Sequence, residues 1–150
     1  RTLGGCVRCA SPAVTRARLA FILVLDQASR NLYRDEAKAF EQDSLALLLC
    51  KDGLALKQDK GLSEVERIFF YLPLEHSEAP DDQARSVQVF TDLLVDAREG
   101  FRDLIENTLQ YAKDHKKVID EFGRFPHRNK ALGRDSTDAE QEWLTEGGGF

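Results

Sequence analysis

Between Phe101 and Phe122 the chain sets Phe101, Leu104, Ile105, Tyr111, Ala112, Val118, Ile119 and Phe122 on one stripe, turn after turn. Apolar residues at that period commit the segment to an amphipathic helix roughly 33 Å long. No stretch alternates with period two over a useful length, so no sheet is expected. The predicted fold is all-α: tandem antiparallel helices on short connections, stacked as helical hairpins or as an irregular bundle. With 150 residues, 42% of them hydrophobic, one domain with a sizeable core is within reach.

Along the chain, residues 1–17 read as an irregular arm and 18–150 as a single helical domain. Gly4-Gly5 and Pro12 interrupt any periodicity in the arm. The chain begins with Arg, has no Met, and carries Arg1, Arg8, Arg16 and Arg18 before its first acid, which reads as a processed or truncated piece. A first helix is expected from about Thr15. Its run from Leu19 to Leu25 is apolar all round, which predicts a central position, and it should give way at Asp26 to Asn31. A second helix fits Glu36 to Lys51, with Phe40, Leu47 and Leu48 inward and Gly53 as its stop. Ser63 and Glu66 form a capping box that opens a helix through Tyr71, ahead of Pro73. Another helix runs from about Gln83 to Ala97, with Val87, Phe90, Leu94 and Ala97 at helical spacing. Gly123 ends the long stripe, and Thr137 with Glu140 caps a last short helix.

Several classes of function are disfavoured. A net charge of −5 and a pI near 5.3 do not suit broad wrapping of nucleic acid. The apolar run from Leu19 to Leu25 is far too short to span a bilayer, so no membrane partner is expected. Cys6 and Cys9 form a C-x-x-C without a second pair, and Cys50 reads as a small buried residue. Three cysteines give no disulfide framework, which favours a reducing, cytoplasmic setting. Neither a P-loop nor a dinucleotide fingerprint occurs, so no cofactor is called for.

Against this acidic background stands a basic island: Arg124, His127, Arg128, Lys130 and Arg134, without an acid among them, running into Ser136 and Thr137. Guanidinium groups placed ahead of a helix start suit a phosphate or carboxylate. An equally physical reading has these arginines paired with Asp26, Glu66, Glu75 or Glu78, locking irregular segments together. The expected ligand-binding set is Asp26, Arg30, Asn31, Arg67, Arg124, Arg128, Asn129, Arg134, Ser136 and Thr137. Glu75, His76 and His127 are the candidates for proton transfer. His115 falls on the apolar stripe of the long helix and should point inward. No H-E-x-x-H spacing puts two metal ligands on one helix face, so no metal site is assigned.

Several of these segments together resemble the bacterial family called domain of unknown function 924. They are Leu25-Asp26-Gln27 with Ser29-Arg30-Asn31-Leu32-Tyr33-Arg34, Glu66-Arg67, and Phe69 to Glu78. Gln83, Ser86-Val87, His115, Phe122 to Asn129, Leu132-Gly133-Arg134 and Ser136-Thr137 complete the pattern, which covers roughly residues 18–150. The resemblance implies a tetratricopeptide-like helical fold and no reaction. Ala28 departs from the family's usual aromatic, Asp138-Ala139-Glu140 replaces a more acidic start, and the region before residue 18 does not look like the family's first helix. The leading functional expectation is a small anionic, phosphate- or carboxylate-bearing ligand held by Arg and His in a polar pocket. A tetratricopeptide-like module for a protein partner, and a metal-dependent hydrolase using His76, His115 and His127, are the alternatives.

Overall fold

Ser11 accepts a hydrogen bond from the Val14 amide, and Pro12 takes the first helical position, where its missing N–H costs nothing. Helix α1 (Pro12–Ile22) therefore starts earlier than the apolar run suggests, so 12–17 are helix rather than arm. The computed structural model describes residues 11–150; Cys6 and Cys9 lie outside the described residues. At its C-terminal end α1 passes into a π-helical segment, Leu23–Ala28, and then α2 (Ser29–Leu32). The expected break at Asp26 to Asn31 is thus a widening of the helix and not its end.

The remaining helices are α3 (Asp43–Ala55), α4 (Glu64–Glu75), α5 (Pro80–Asp96), α6 (Arg102–Phe122), α7 (Asn129–Leu132) and α8 (Asp138–Thr145). A 3-10 turn at Ala37–Phe40 precedes α3, and another at Pro126–Arg128 precedes α7. No strand occurs among the described residues, and the fold is all-α. None of these helices is long and apolar enough to cross a membrane.

Helix α4 is the hub, packing against α1, α3, α5 and α6. The reciprocal Ser63–Glu66 capping box fixes its start. Phe70, Tyr71 and Leu74 then enter the core, with Tyr71 edge-on to Phe70 at 6.3 Å and to Phe90 of α5 at 5.6 Å. Helix α6 contributes Ile105, Leu109 and Ala112 to the same core, and α1 contributes Leu19 and Ile22. Tyr111 and Leu104 of the predicted stripe face solvent, so the buried seam is narrower than the apolar one. Helix α1 leaves Val14 and Phe21 exposed, and the π-helical segment leaves Val24 exposed: this stretch borders the fold rather than occupying its middle.

Two local expectations change. Pro73 lies inside α4, one turn from its end, where only one ladder hydrogen bond is forgone; the helix runs on to deliver Glu75 and His76. Gly53 lies within α3 and is no stop. Phe70 and the stem of Arg18 occupy the space that its Cβ would need, so glycine lets α3 and α4 approach. The helix ends instead at Ala55, with Leu56 as its cap and Lys57 left-handed at φ 54°.

Gly53→Val is expected to destabilise the protein by about 1–3 kcal/mol, since overpacking must displace a buried ring. Gly61→Ala, where no atom lies within 4 Å of the new Cβ, should change stability by no more than about 0.5 kcal/mol. Urea unfolding of both variants checks the contrast.

Candidate functional site

The widened turn at Leu23–Ala28 brings Asp26 inward, where the carboxylate is 1% exposed. Such a group requires partners, and it has three. Gln27 Nε2 donates to Oδ2 at 2.6 Å, Arg30 donates to Oδ1 at 2.9 Å, and His76 Nδ1 lies 2.7 Å from the same oxygen. Burial works to raise the Asp26 pKa, but His76, Arg30 and Gln27 outweigh it and hold the carboxyl below its usual range. His76 is itself depressed by burial, with the charges of Arg30 and Arg128 opposing its protonation against the pull of Asp26. A neutral imidazole beside an ionised carboxylate places its proton on Nδ1, donating to Asp26. Nε2 is left as an acceptor, and it makes no hydrogen bond to any described residue.

Arg30 is bonded to two carboxylates through its terminal nitrogens. Besides Asp26 it grips Asp43 through two parallel bonds of 2.8 and 2.9 Å, tying α2 to the start of α3. Arg128 is not. Its side chain is 7% exposed, and its guanidinium lies between the rings of Phe40 and Phe125, 4.8 and 4.4 Å from their centroids. The nearest carboxylate, Asp43, is 3.6 Å away and makes no hydrogen bond, and Arg128 Nε is buried without a partner. Burial, together with the Arg30 charge, brings the Arg128 pKa down to about 10, so it remains a cation at neutral pH.

These groups border a cavity of about 680 Å³. Its wall combines Arg30, Arg34, Arg128 and Lys130 with His76, His115 and His127, and adds Asn31, Asp35, Phe40 and Phe150. Arg34 and Lys130 form no ion pair with any described residue. His115 donates Nδ1–H to the Tyr111 carbonyl at 2.9 Å, and the Phe150 ring stacks on its face at 3.6 Å. Burial pushes both His115 and His127 down to about 4, with Arg128 adding to each. His127 Nδ1 is buried and unpaired. Glu75 lies behind His115, 3.4 Å from its Nδ1. Burial, then the Asp26 charge, pushes the Glu75 carboxyl up to about 8, so it is protonated at neutral pH.

Of the residues singled out in the sequence, the fold thus brings Arg30, Asn31, His76, His127 and Arg128 to one cavity, with Asp26 and Glu75 behind its wall. The others lie elsewhere. Arg67 bonds Tyr71 at 3.0 Å and reaches Asp96 at 3.4 Å, a network with Asp59 in the core between α4 and its neighbours. Arg134 is consumed by Glu78 at 2.8 and 3.0 Å, by Asn129 and by the Phe125 carbonyl. Arg124 pairs with Glu140 through bonds of 2.6 and 2.7 Å, and Asn129 reaches Ser136 and Glu140. Thr137 caps α8 through the Glu140 amide. The basic island is a set of 3-10 and α turns laced to two carboxylates, and the pairing partners are Glu78 and Glu140 rather than Glu66. Phe40 was marked only as a core position and Asp43 not at all; Arg34 and Lys130 sit in the polar runs already marked. Among the described residues no three His, Cys, Asp or Glu side chains are grouped to hold a metal ion.

The two kinds of titration act in opposite directions. His115 and His127, lowered on folding, contribute stability that is present above about pH 6.5 and lost as the pH falls towards 4. Glu75, raised on folding, contributes stability that is present below its unfolded pKa and lost as the pH rises through about 8. Between pH 6.5 and 8 the Glu75 effect should dominate, with a slope approaching about 1.4 kcal/mol per pH unit. Glu75→Gln should flatten that slope, as read by urea unfolding at pH 6.5, 7.5 and 8.5.

The sequence profile of the family described as bacterial protein of unknown function (DUF924) matches residues 6–148, starting upstream of residue 18 where the sequence resemblance begins. No curated protein matches the chain. A solved structure of a protein of unknown function from Agrobacterium tumefaciens, ATU0120, is similar with a TM-score of 0.77 and 33% identity, over 88% of this chain and 69% of that one. With nearly its whole length matched by that profile, and with a helical fold shared with the Agrobacterium protein, the chain belongs to the DUF924 family of bacterial proteins.

Proposed function

We propose that the cavity bounded by Arg30, Arg128, His76 and His127 binds a small anion bearing a phosphate or carboxylate group. The observation that carries this reading is Arg128. Its side chain is buried and charged, its Nε–H has no acceptor, and its nearest acid, Asp43, lies 3.6 Å away without a hydrogen bond, an arrangement that is costly unless a further acceptor is supplied. Arg30, Arg124 and Arg134 show what these side chains do when the purpose is to tie segments together: each is bonded to a carboxylate. Arg128 instead is held against two rings with only a loose ion pair to Asp43, beside a cavity whose other cations, Arg34 and Lys130, form no ion pair with any described residue. Two anionic oxygens would satisfy its fork and offset the excess charge.

Inorganic phosphate and sulfate at millimolar concentration should raise the melting temperature, as mass action requires of any ligand that binds only the folded state. Arg128→Leu should fold, with stability equal to or above that of the parent, because a poorly compensated buried charge is exchanged for an apolar side chain while Asp43 keeps Arg30. The same variant should lose the phosphate response by about tenfold or more in apparent affinity, the scale of a charge-assisted hydrogen bond. Absence of any stabilisation of the parent by phosphate, sulfate or simple carboxylates at tens of millimolar would overturn the reading.

A further inference from the structure

The cavity is not uniformly a surface of donors. His76 contributes the opposite chemistry. Its Nδ1 is tied to Asp26 at 2.7 Å, and Asp26 is in turn fixed by Gln27 and Arg30, so the ring can neither rotate freely nor exchange tautomer without breaking a buried ionic hydrogen bond. The consequence is an unprotonated Nε2 on a side chain that lines the cavity, with no described residue bonded to it. An acceptor presented in this way recognises a donor. The donor cannot be a cationic amine, since Arg34, Arg128 and Lys130 lie on the same wall and Arg30 backs it. Asp35 is the one carboxylate on that wall, and both Asp26 and Asp43 behind it are occupied by Arg30. A neutral hydroxyl meets both requirements.

We infer that the ligand is a hydroxylated anion, with its phosphate or carboxylate on Arg128 and an alcohol O–H donated to His76 Nε2. This rests on the anion reading above and narrows it to a substrate class: small sugar phosphates, polyol phosphates or hydroxy acids rather than simple phosphoesters or fatty acids. Asp26 is then a positioning residue that acts through His76. His76 serves as an acceptor whose lone pair is kept available by burial and by the surrounding cations, which oppose its protonation. Phe40 and Phe150 supply the apolar remainder of the wall, against which a short carbon skeleton can lie.

Paired probes test this on the full chain by isothermal titration. Glycerol 3-phosphate is compared with propyl phosphate, which has the same anionic group and no hydroxyl, and inorganic phosphate serves as the reference. The parent should bind glycerol 3-phosphate at least about tenfold more tightly than propyl phosphate, the scale of one buried hydrogen bond to a group that otherwise stays unpaired. His76→Phe should bind glycerol 3-phosphate and propyl phosphate equally. In Asp26→Leu no acceptor remains for Nδ1–H, so the ring is no longer held in one tautomer. Nitrogen NMR should then show the His76 proton shared between Nδ1 and Nε2, together with a weakened hydroxyl preference, whereas in Asp26→Asn the oxygen shared by Arg30 and His76 is kept and Nδ1 should stay protonated. Equal binding of the two organic phosphates by the parent, with phosphate itself still bound, overturns the inference and leaves the anion reading intact. Failure of all three probes to bind overturns both. If either Asp26 variant fails to fold, His76→Phe and the parent alone still decide between these outcomes.

Discussion

A carboxylate with almost no exposure to water is the constraint from which much of this molecule follows. Asp26 cannot stand alone in the interior, and the three groups that satisfy it come from its neighbour Gln27, from the next turn of the helix and from the far end of α4. Satisfying it therefore locks the π-helical segment to the hub of the fold and orients His76. The same Arg30 that faces Asp26 reaches on to Asp43, so the start of α3 is fixed by the same network. Breaking any one of these bonds would leave a charge buried without compensation, which is far more costly than the bond is favourable. Such a network specifies one arrangement of α1, α3 and α4 where apolar packing alone would accept several.

The arginines of the chain divide by what they touch. Arg124 and Arg134 are each bonded to a carboxylate and to loop groups, and they hold the turns after α6 against Glu78 and Glu140. The Glu140 carboxyl is drawn down to about 2, first by the Arg124 hydrogen bond. Arg128, in the same island, has aromatic rings where the others have acids. Stacking keeps its plane in place without consuming its donors. The locks and Arg128 are thus complementary: a rigid loop is what allows one guanidinium to keep its donors free of hydrogen-bonded acids in a defined position.

Much of the architecture was legible in the sequence. The period of the α6 stripe, the two capping boxes at Ser63 and Thr137, and the left-handed Gly123 are local signals, and local physics determines them. The errors share a different cause. Gly53 looked like a stop because the presence of Phe70 above it is a tertiary fact. Asp26 to Asn31 looked like a helix end because the partners that permit polar residues there lie 13 and 50 positions away. Likewise the sequence marked the residue types of the site but could not sort them, since all the arginines of the island look alike until Glu78 and Glu140 take two of them. Phe40 gave only the signal of a core position, and Asp43 sits in a short polar stretch, Glu41 to Ser44, that nothing local distinguishes from a solvated helix start.

The π-helical segment carries one more implication. A turn of this kind accommodates a residue beyond the ordinary helical complement. The helix on either side keeps its own phase, so Leu19 and Ile22 still meet the core and Arg30 still meets Asp43. Removing one amino acid between Leu23 and Ala28 would restore a regular helix that both flanks could accept, yet turn the carboxylate away from His76. The polar wall of the cavity thus depends on a single surplus residue that the apolar core does not require.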